Sequence, residues 1–417
     1  MKEILKRLIN FETLTKIESK NILIDISKDK YNASEISSFL TIFMMRNITV
    51  EEIDGFREAL IELCIKVDLS EYNFIDMCGT GGDNKNTFNI STISSFVVAG
   101  SGIKVAKHGN YGVSSKCGSS NVLEYLGLTF TNNNNLLKKA IDKAGICVLH
   151  APLFHPAMKV VAPIRKDLGI KTFFNMLGPL VNPALPKNQV TGVFNLELIR
   201  LYNYVLQRTN IKYNIIYSLD CYDEISLTSE FKVINNKSEK ILSPSIFNLN
   251  YINKNKIAGG KSIESSAKIF MNLLKNNGTK EQENVVCANS AVAISLMKNC
   301  DLITSFDIAK ESLRSGNALK SFKIRFQSSL HLPWNHIWKL IPLTLYLLCC
   351  NELEAIQGLS TRSSKFIALS WLLSCTNEQA TLYEDGTSKL TMHVSSILSG
   401  IYKQQLIGLT YNWISSR

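Results

Sequence analysis

Charge is scarce in this sequence. Asp, Glu, Lys and Arg make up 19% of its 417 residues, against 45% hydrophobic. That mix excludes a disordered or collagen-like chain and predicts a globular one. Long apolar runs are missing as well. The longest, such as Ile341 to Cys350, cover about half the span a bilayer needs, so no transmembrane helix and no membrane partner are expected. The start, Met1 to Arg7, alternates charged and apolar residues and lacks the apolar stretch of a signal peptide, which predicts a cytoplasmic protein. None of the ten cysteines forms a C-x-x-C pair, and only Cys349 and Cys350 are adjacent. A disulfide framework and a zinc ribbon are therefore excluded, and reduced thiols are expected. Five successive basic residues occur nowhere. Lys plus Arg (46) exceed Asp plus Glu (35), giving +11, but the lysines are dispersed among abundant Asn and Ile. That reads as compositional bias, and no nucleic-acid partner is expected.

The length suggests two or three domains. Residues 1–72 read as a small helical domain. Ile36, Phe39, Leu40, Phe43 and Met44 recur at helical spacing behind Asn32 and Ser34, either of which could cap, and Thr49-x-x-Glu52 is a capping box. The pattern then changes. Phe74 to Met77, Ile103 to Ala106 and Ile215 to Tyr217 read as strands. Residues 90–100, a helix capped by Asn121, and stretches near 265–276, 286–298 and 305–320 read as helices, and Asn132 to Asn135 as a polar loop. Alternation of this kind predicts an α/β domain over 73–323, a mostly parallel sheet covered by helices. After residue 323 the composition shifts: all four Trp lie there, and Glu352, Glu354, Glu378, Glu384 and Asp385 are its only acidic groups. Residues 324–417 show only fragments of amphipathic periodicity. They read either as an extra module or as an out-of-frame or fused extension, and the second is expected.

Three stretches bear chemistry. Gly79-Thr80-Gly81-Gly82-Asp83 follows a strand, where glycines let backbone N–H groups approach a phosphate. Alone it would equally be a tight turn. Ten residues on, Asn89-Ile90-Ser91-Thr92 opens a helix whose free N–H groups make a second anion seat. Lys107 to Ser115, followed by Gly118-Ser119-Ser120, is a third polar loop after a strand. Three such loops imply a ligand with more than one phosphate, lying beyond the carboxyl ends of the strands. His108, inside that loop and without an orienting carboxylate, is a weak candidate for a base. Asp223-Glu224 follows another strand. Alone the pair would be an exposed acidic turn; beside phosphate loops it suits Mg²⁺. Between these lie His155-Pro156-Ala157-Met158-Lys159, Pro163-Ile164-Arg165-Lys166 and Phe174 to Pro183, a Pro- and Gly-shaped pocket in which Arg165 could take a carboxylate.

Taken together, G-T-G-G-D, N-I-S-T, K-H-G-N, H-P-A-M-K, I-R-K, F-N-M-L-G-P-L-V-N-P and D-E closely resemble the anthranilate phosphoribosyltransferase family, in order, over residues 1 to about 323. The resemblance implies a small helical domain, completed by part of 155–185, a larger α/β domain, and a homodimer through the helical part. The implied substrates are anthranilate and phosphoribosyl pyrophosphate, with Mg²⁺ as cofactor. By the same resemblance Gly79, Gly82, Asp83, Thr87, Asn89, Ile90, Ser91 and Thr92 would hold phosphoribosyl pyrophosphate. So would Lys107, His108, Gly109, Asn110, Tyr111, Gly112, Val113, Ser114, Ser115 and Ser119. Gly79, Asn110 and Arg165 would contact anthranilate, with His155 and Met158 lining its route. Ser91, Asp223 and Glu224 would be the Mg²⁺ ligands, and no residue need act as a general base. Three positions depart from the family pattern: Tyr111 stands where Arg is usual, Asn121 where Asp is usual, and His150 where an aromatic is usual. A pyrimidine nucleoside phosphorylase of similar fold and a non-catalytic nucleic-acid-binding relative are the competing readings.

Overall fold

The computed structural model describes residues 1–112 and 117–329, together with two short strands, Thr381–Glu384 and Leu390–His393. Residues 331–417 form a unit separate from 1–330, and within it those two strands pair antiparallel.

Four helices open the chain: α1 (Lys2–Ile9), α2 (Lys16–Ser27), α3 (Ala33–Met45) and α4 (Val50–Leu63). Three of them start on reciprocal capping boxes, Thr15 with Glu18, Asn32 with Glu35 and Thr49 with Glu52. Each box satisfies two of the backbone N–H groups that a helix start leaves unpaired. Asn32, not Ser34, is the cap of α3. Phe39, Phe43 and Phe56 form the apolar centre, and Phe173 from much later in the chain stacks on Phe56 with ring centroids 4.4 Å apart. Val161 and Leu177 join the same cluster. The segment 155–185 thus packs into the helical part.

A seven-stranded sheet follows: β1 (Phe74–Gly79), β2 (Lys104–Gly109), β3 (Ile146–His150), β4 (Asn188–Gly192), β5 (Lys212–Ser218), β6 (Phe231–Asn235) and β7 (Glu239–Leu242). Their order is β3-β2-β1-β4-β5-β6-β7. The first five are parallel, and β6 and β7 are antiparallel. The order reverses between β1 and β4, and a crevice opens at the carboxyl ends of the strands at such a switch point. One face of the sheet packs on α5 (Ile90–Gly100) and the long helix Lys280–Lys298, through Phe96, Val97, Val286 and Ile294.

Several local readings are corrected. The helix α6 (Ser119–Tyr125) starts at Gly118, so Asn121 is its third residue and no cap; its Oδ1 accepts from Gly118 N and Gly112 N at 3.0 Å each. Asn134 is the first residue of the helix Asn134–Ala144, with Asn133 as cap, so the polar loop is shorter than expected. The stretch near 305–320 is two helices, Leu302–Arg314 and Asn317–Ser329, parted at Gly316 in a left-handed conformation. That last helix runs through residue 323 and buries Phe322 and Arg325, so the ordered unit extends past the expected break.

Candidate functional site

The glycine-rich stretch leaves β1 at the switch point. Thr80 N donates to Gly192 O at 2.9 Å, tying the ends of β1 and β4. Gly81 and Gly82 both adopt left-handed backbone angles, with φ of 59° and 82°. Residues with a Cβ are strained in this geometry, so the turn needs glycine. Lys171, a residue with no motif to mark it, spans this turn by donating to Gly82 O at 2.5 Å and Asn84 Oδ1 at 2.8 Å.

Beyond β5 the chain turns at Cys221, itself left-handed, and delivers Asp223 and Glu224. The pair is no exposed acidic turn. Asp223 is buried, and its Oδ2 accepts from Gly81 N at 2.8 Å. A Cβ on Gly79 would collide with that same oxygen, so glycine there is a condition of the site. Asp83 completes the group: ligand oxygens of Asp83, Asp223 and Glu224 all lie within 4.8 Å of one another. Burial pushes the Asp83 carboxyl up to about 7, with the charge of Asp223 adding to it. Burial raises Asp223 as well, and Glu224 rises far above the usual range through burial and then the charges of Asp223 and Asp83. Asp83 Oδ2 and Glu224 Oε2 are buried without a hydrogen-bond partner. Three crowded carboxylates with oxygens left unsatisfied fit a hard divalent cation, which would relieve both the repulsion and the missing partners. Ser91 lines the same recess with Gly79 and Asn289, and its backbone N–H faces the Glu224 carboxylate. The family resemblance assigns Asp83 to the phosphate ligand; the structure sets it among the metal-type oxygens.

Asn89 precedes α5 without capping it, and its Nδ2 donates to Cys117 O at 3.0 Å, so of the first-turn N–H groups it is that of Ser91 that a side chain, the Glu224 carboxylate, faces. Thr87 bridges to Ala258 at the mouth of this seat.

From the end of β2, Lys107 points inward. It is 2% exposed, and its Nζ donates to Met77 O at 2.6 Å. Burial lowers its pKa, opposed by the charges of Cys78, Asp76 and Glu224. Lys107 thus lies behind the carboxylate group, not at the open surface. His108 is buried, with Nδ1 3.0 Å from Gly178 O and its backbone N–H donating to Asp76 Oδ1 at 3.1 Å. Burial, then the neighbouring His155, depress it to about 3, so it is neutral at working pH. Asn110 O accepts from Ser120 N and from Ser119 Oγ, each at 3.2 Å, and Gly109 packs against Ser119. Tyr111 donates its hydroxyl to Glu124 and meets the His150 ring edge-on at 4.7 Å. His150 in turn stacks on Phe130 at 4.5 Å. Gly112 is held by Asn121. Val113, Ser114 and Ser115 lie outside the described residues.

Arg165 sits on the helix Met158–Leu168, half-buried, above the Phe174 ring at 5.4 Å. Its Nη2 donates to Asn175 Oδ1 at 3.1 Å, while its Nε is buried with no partner, and burial lowers its pKa. An arginine fixed at one edge with a donor unused is set up for a carboxylate. His155 is buried 5.3 Å from His108, and Met158 opens the same helix. Burial depresses the pKa of both histidines, which leaves them weak bases.

Residues 2–64 match the helical bundle domain of the glycosyl transferase family, and residues 71–319 match that family's a/b domain. The chain is 61% identical over 330 residues to the anthranilate phosphoribosyltransferase of Flavobacterium psychrophilum, covering 79% of this chain and all of the relative. It is 53% identical to that of Cytophaga hutchinsonii over 78% of this chain and 99% of the relative. Among solved structures, the anthranilate phosphoribosyltransferase of Thermus thermophilus superposes with a TM-score of 0.73 at 29% identity, over 78% of this chain and 98% of that one. The Saccharomyces cerevisiae enzyme in complex with PRPP and Mg gives 0.72 at 28% identity, over 79% of this chain and 97% of that one. With this identity over nearly the whole length of its relatives, the chain belongs to the anthranilate phosphoribosyltransferase family.

Proposed function

We propose that this chain carries out the family's reaction through the residues just described. It moves the phosphoribosyl group of phosphoribosyl pyrophosphate to the amine of anthranilate and releases pyrophosphate, a step of tryptophan biosynthesis. The observation that carries the residue assignment is the cluster Asp83, Asp223 and Glu224, with two buried carboxylate oxygens lacking partners, beside the glycine-rich turn.

The aromatic amine is already a nucleophile, so the work is to position two substrates and to stabilise the leaving group. Asp83, Asp223 and Glu224, with Ser91 beside them, would hold Mg²⁺, which supplies charge neutralisation for the pyrophosphate when bound. Gly79, Gly82, Thr87, Asn89, Ile90 and Thr92 offer backbone and side-chain donors to the phosphates from one side. Gly109, Asn110, Tyr111, Gly112 and Ser119 do so from the other, and we extend this role to Val113, Ser114 and Ser115. Lys107 acts from behind the carboxylates. Arg165 takes the anthranilate carboxylate and, with Gly79 and Asn110, aims the amine at C1 of the ribose; His155 and Met158 line the approach. His108 and His155, neutral, present no acidic imidazolium that would protonate the amine lone pair. Closure of residues 1–72 and part of 155–185 over the α/β part would exclude water from the activated sugar.

We also propose a homodimer through the helical part, where Phe11, Ile17 and Met45 are 74%, 72% and 77% exposed, and a cytoplasmic location. No helix among the described residues is long and apolar enough to cross a membrane.

The test follows anthranilate fluorescence as phosphoribosyl pyrophosphate and Mg²⁺ are added. Changing Asp223→Asn and Glu224→Gln together should lower turnover on the order of 10²- to 10³-fold with the circular dichroism spectrum unchanged. Near wild-type rates at limiting Mg²⁺ would overturn the metal assignment.

A further inference from the structure

A second cleft lies at the other end of the sheet, where α4 meets the start of β4. It measures about 200 Å³, which suits one small organic ion. Its walls are mostly apolar, with Ile61, Leu180, Leu185, Pro186 and Ile211 beside Asn182, Gln189, Thr209 and Asn210. Two cations, Arg57 and Lys187, stand at it, and no acidic residue lines it. Arg57 keeps much of its donor capacity unused. Its side chain is 15% exposed, and its one carboxylate partner is Asp54 at a long 3.4 Å. Asp54 is held more closely by Lys16, at 2.8 Å. The Arg57 Nε is buried and donates to nothing. A buried guanidinium N–H without an acceptor is costly, and Arg57 at the cleft wall is left short of acceptors.

We propose that this cleft binds a small carboxylate with an apolar body, its carboxylate on Arg57 and Lys187 and its body against Ile61, Leu180 and Ile211. The apolar walls favour such an ion over inorganic phosphate, which would leave them wet. The cleft reaches the reaction centre through one turn. Pro179 and Leu180 form its wall, Pro179 O is held by Gln189 Nε2 at 2.5 Å, and the adjacent Gly178 O lies 3.0 Å from His108 Nδ1. The wall of the cleft is thus tied to His108 near the end of β2.

A ¹⁹F NMR titration with 4-fluorobenzoate tests the site, with turnover measured in parallel. Arg165 would also hold a carboxylate, so two separable binding events are expected in the wild-type chain. Arg57→Met with Lys187→Met should abolish one event while leaving turnover without benzoate unchanged. Lys187→Met alone, at an exposed lip where folding is not at risk, should weaken that event roughly tenfold. Arg165→Met should abolish the other event. A single event removed by Arg165→Met would overturn the second site, and the metal-centred reading of the active site would stand. Two events that both survive the Arg57 and Lys187 changes would place the second ligand elsewhere and overturn it too. Displacement from the cleft by millimolar inorganic phosphate would show a site that reads charge alone, against the proposal.

Discussion

At the scale of single residues, the chemistry is decided by which charges are buried and which are partnered. Arg165 keeps one donor unused beside Asn175 and Phe174. Arg165→Ala should raise the Michaelis constant for anthranilate roughly 10- to 100-fold, the worth of a charge-assisted pair, and that for phosphoribosyl pyrophosphate far less. Equal effects on both, measured by initial rates, would make Arg165 a structural residue. The carboxylates give a pH signature. Asp83 is raised to about 7, and Asp223 and Glu224 are raised with it. A carboxyl raised on folding binds more protons in the folded chain, so stability without Mg²⁺ falls as pH rises from about 4 through about 7. His108 and His155, depressed to about 3 and about 4, act in the opposite sense, losing stability as pH falls below about 6.5. Of these groups, Asp83 is the one placed to titrate near pH 7. The Mg²⁺-induced rise in melting temperature should therefore be clearly larger at pH 8 than at pH 6.5, and a rise independent of pH would contradict the assignment. The D-E pair and the glycines were legible because they are contiguous and sit at a strand end. Asp83 as a partner of Asp223 was not, because 140 positions separate them (223 − 83) and only the sheet order joins them. Lys171 carried no signal at all, being a lone lysine whose role comes from where Gly82 folds.

At the scale of elements, what is local was readable and what depends on partners was not. The boxes at Thr49 and Asn32 need four residues each and could be read directly. β4, Asn188-Gln189-Val190-Thr191-Gly192, is buried along its whole length, yet three of its five residues carry polar side chains. Its polarity is satisfied internally: Asn188 donates to Phe74 O at 3.0 Å, and Gln189 to Thr191 Oγ1 at 2.7 Å. Hydrophobic pattern therefore could not mark it as a central strand. The last helix was missed for a different reason, since the change in composition near residue 323 falls inside an element that continues. Ser321 donates to Ala144 O at 2.5 Å, Arg325 is 2% exposed, and the Phe326 ring lies over Gly127. A chain ending at Lys323 should lose about 2–4 kcal/mol relative to one ending at Leu330, through the deleted core contacts. Equal urea midpoints for the two would show that the final turns of this helix contribute nothing.

At the scale of the whole molecule, the family's two domains match residues 2–64 and 71–319. The Flavobacterium psychrophilum relative is covered over its entire length by 330 residues of this chain. The compact unit that holds both the carboxylate cluster and Arg165 ends at Leu330. Every group assigned a role in the reaction lies within it, and the structure needs nothing further to build the switch-point crevice. We therefore keep the expectation that residues beyond 330 are an extension without part in the transfer, and we set the boundary at Leu330 in place of Lys323. A chain ending at Leu330 should match the full chain in Michaelis constants and turnover, followed by anthranilate fluorescence, and should stay soluble at higher concentration. The comparison with the Lys323 chain makes this informative in both directions. If both shortened chains lose activity but only the Lys323 chain loses stability, the extension takes part in catalysis and the expectation fails. If the Leu330 chain is fully active and the Lys323 chain is merely less stable, the last helix belongs to the fold and the extension is dispensable to the reaction.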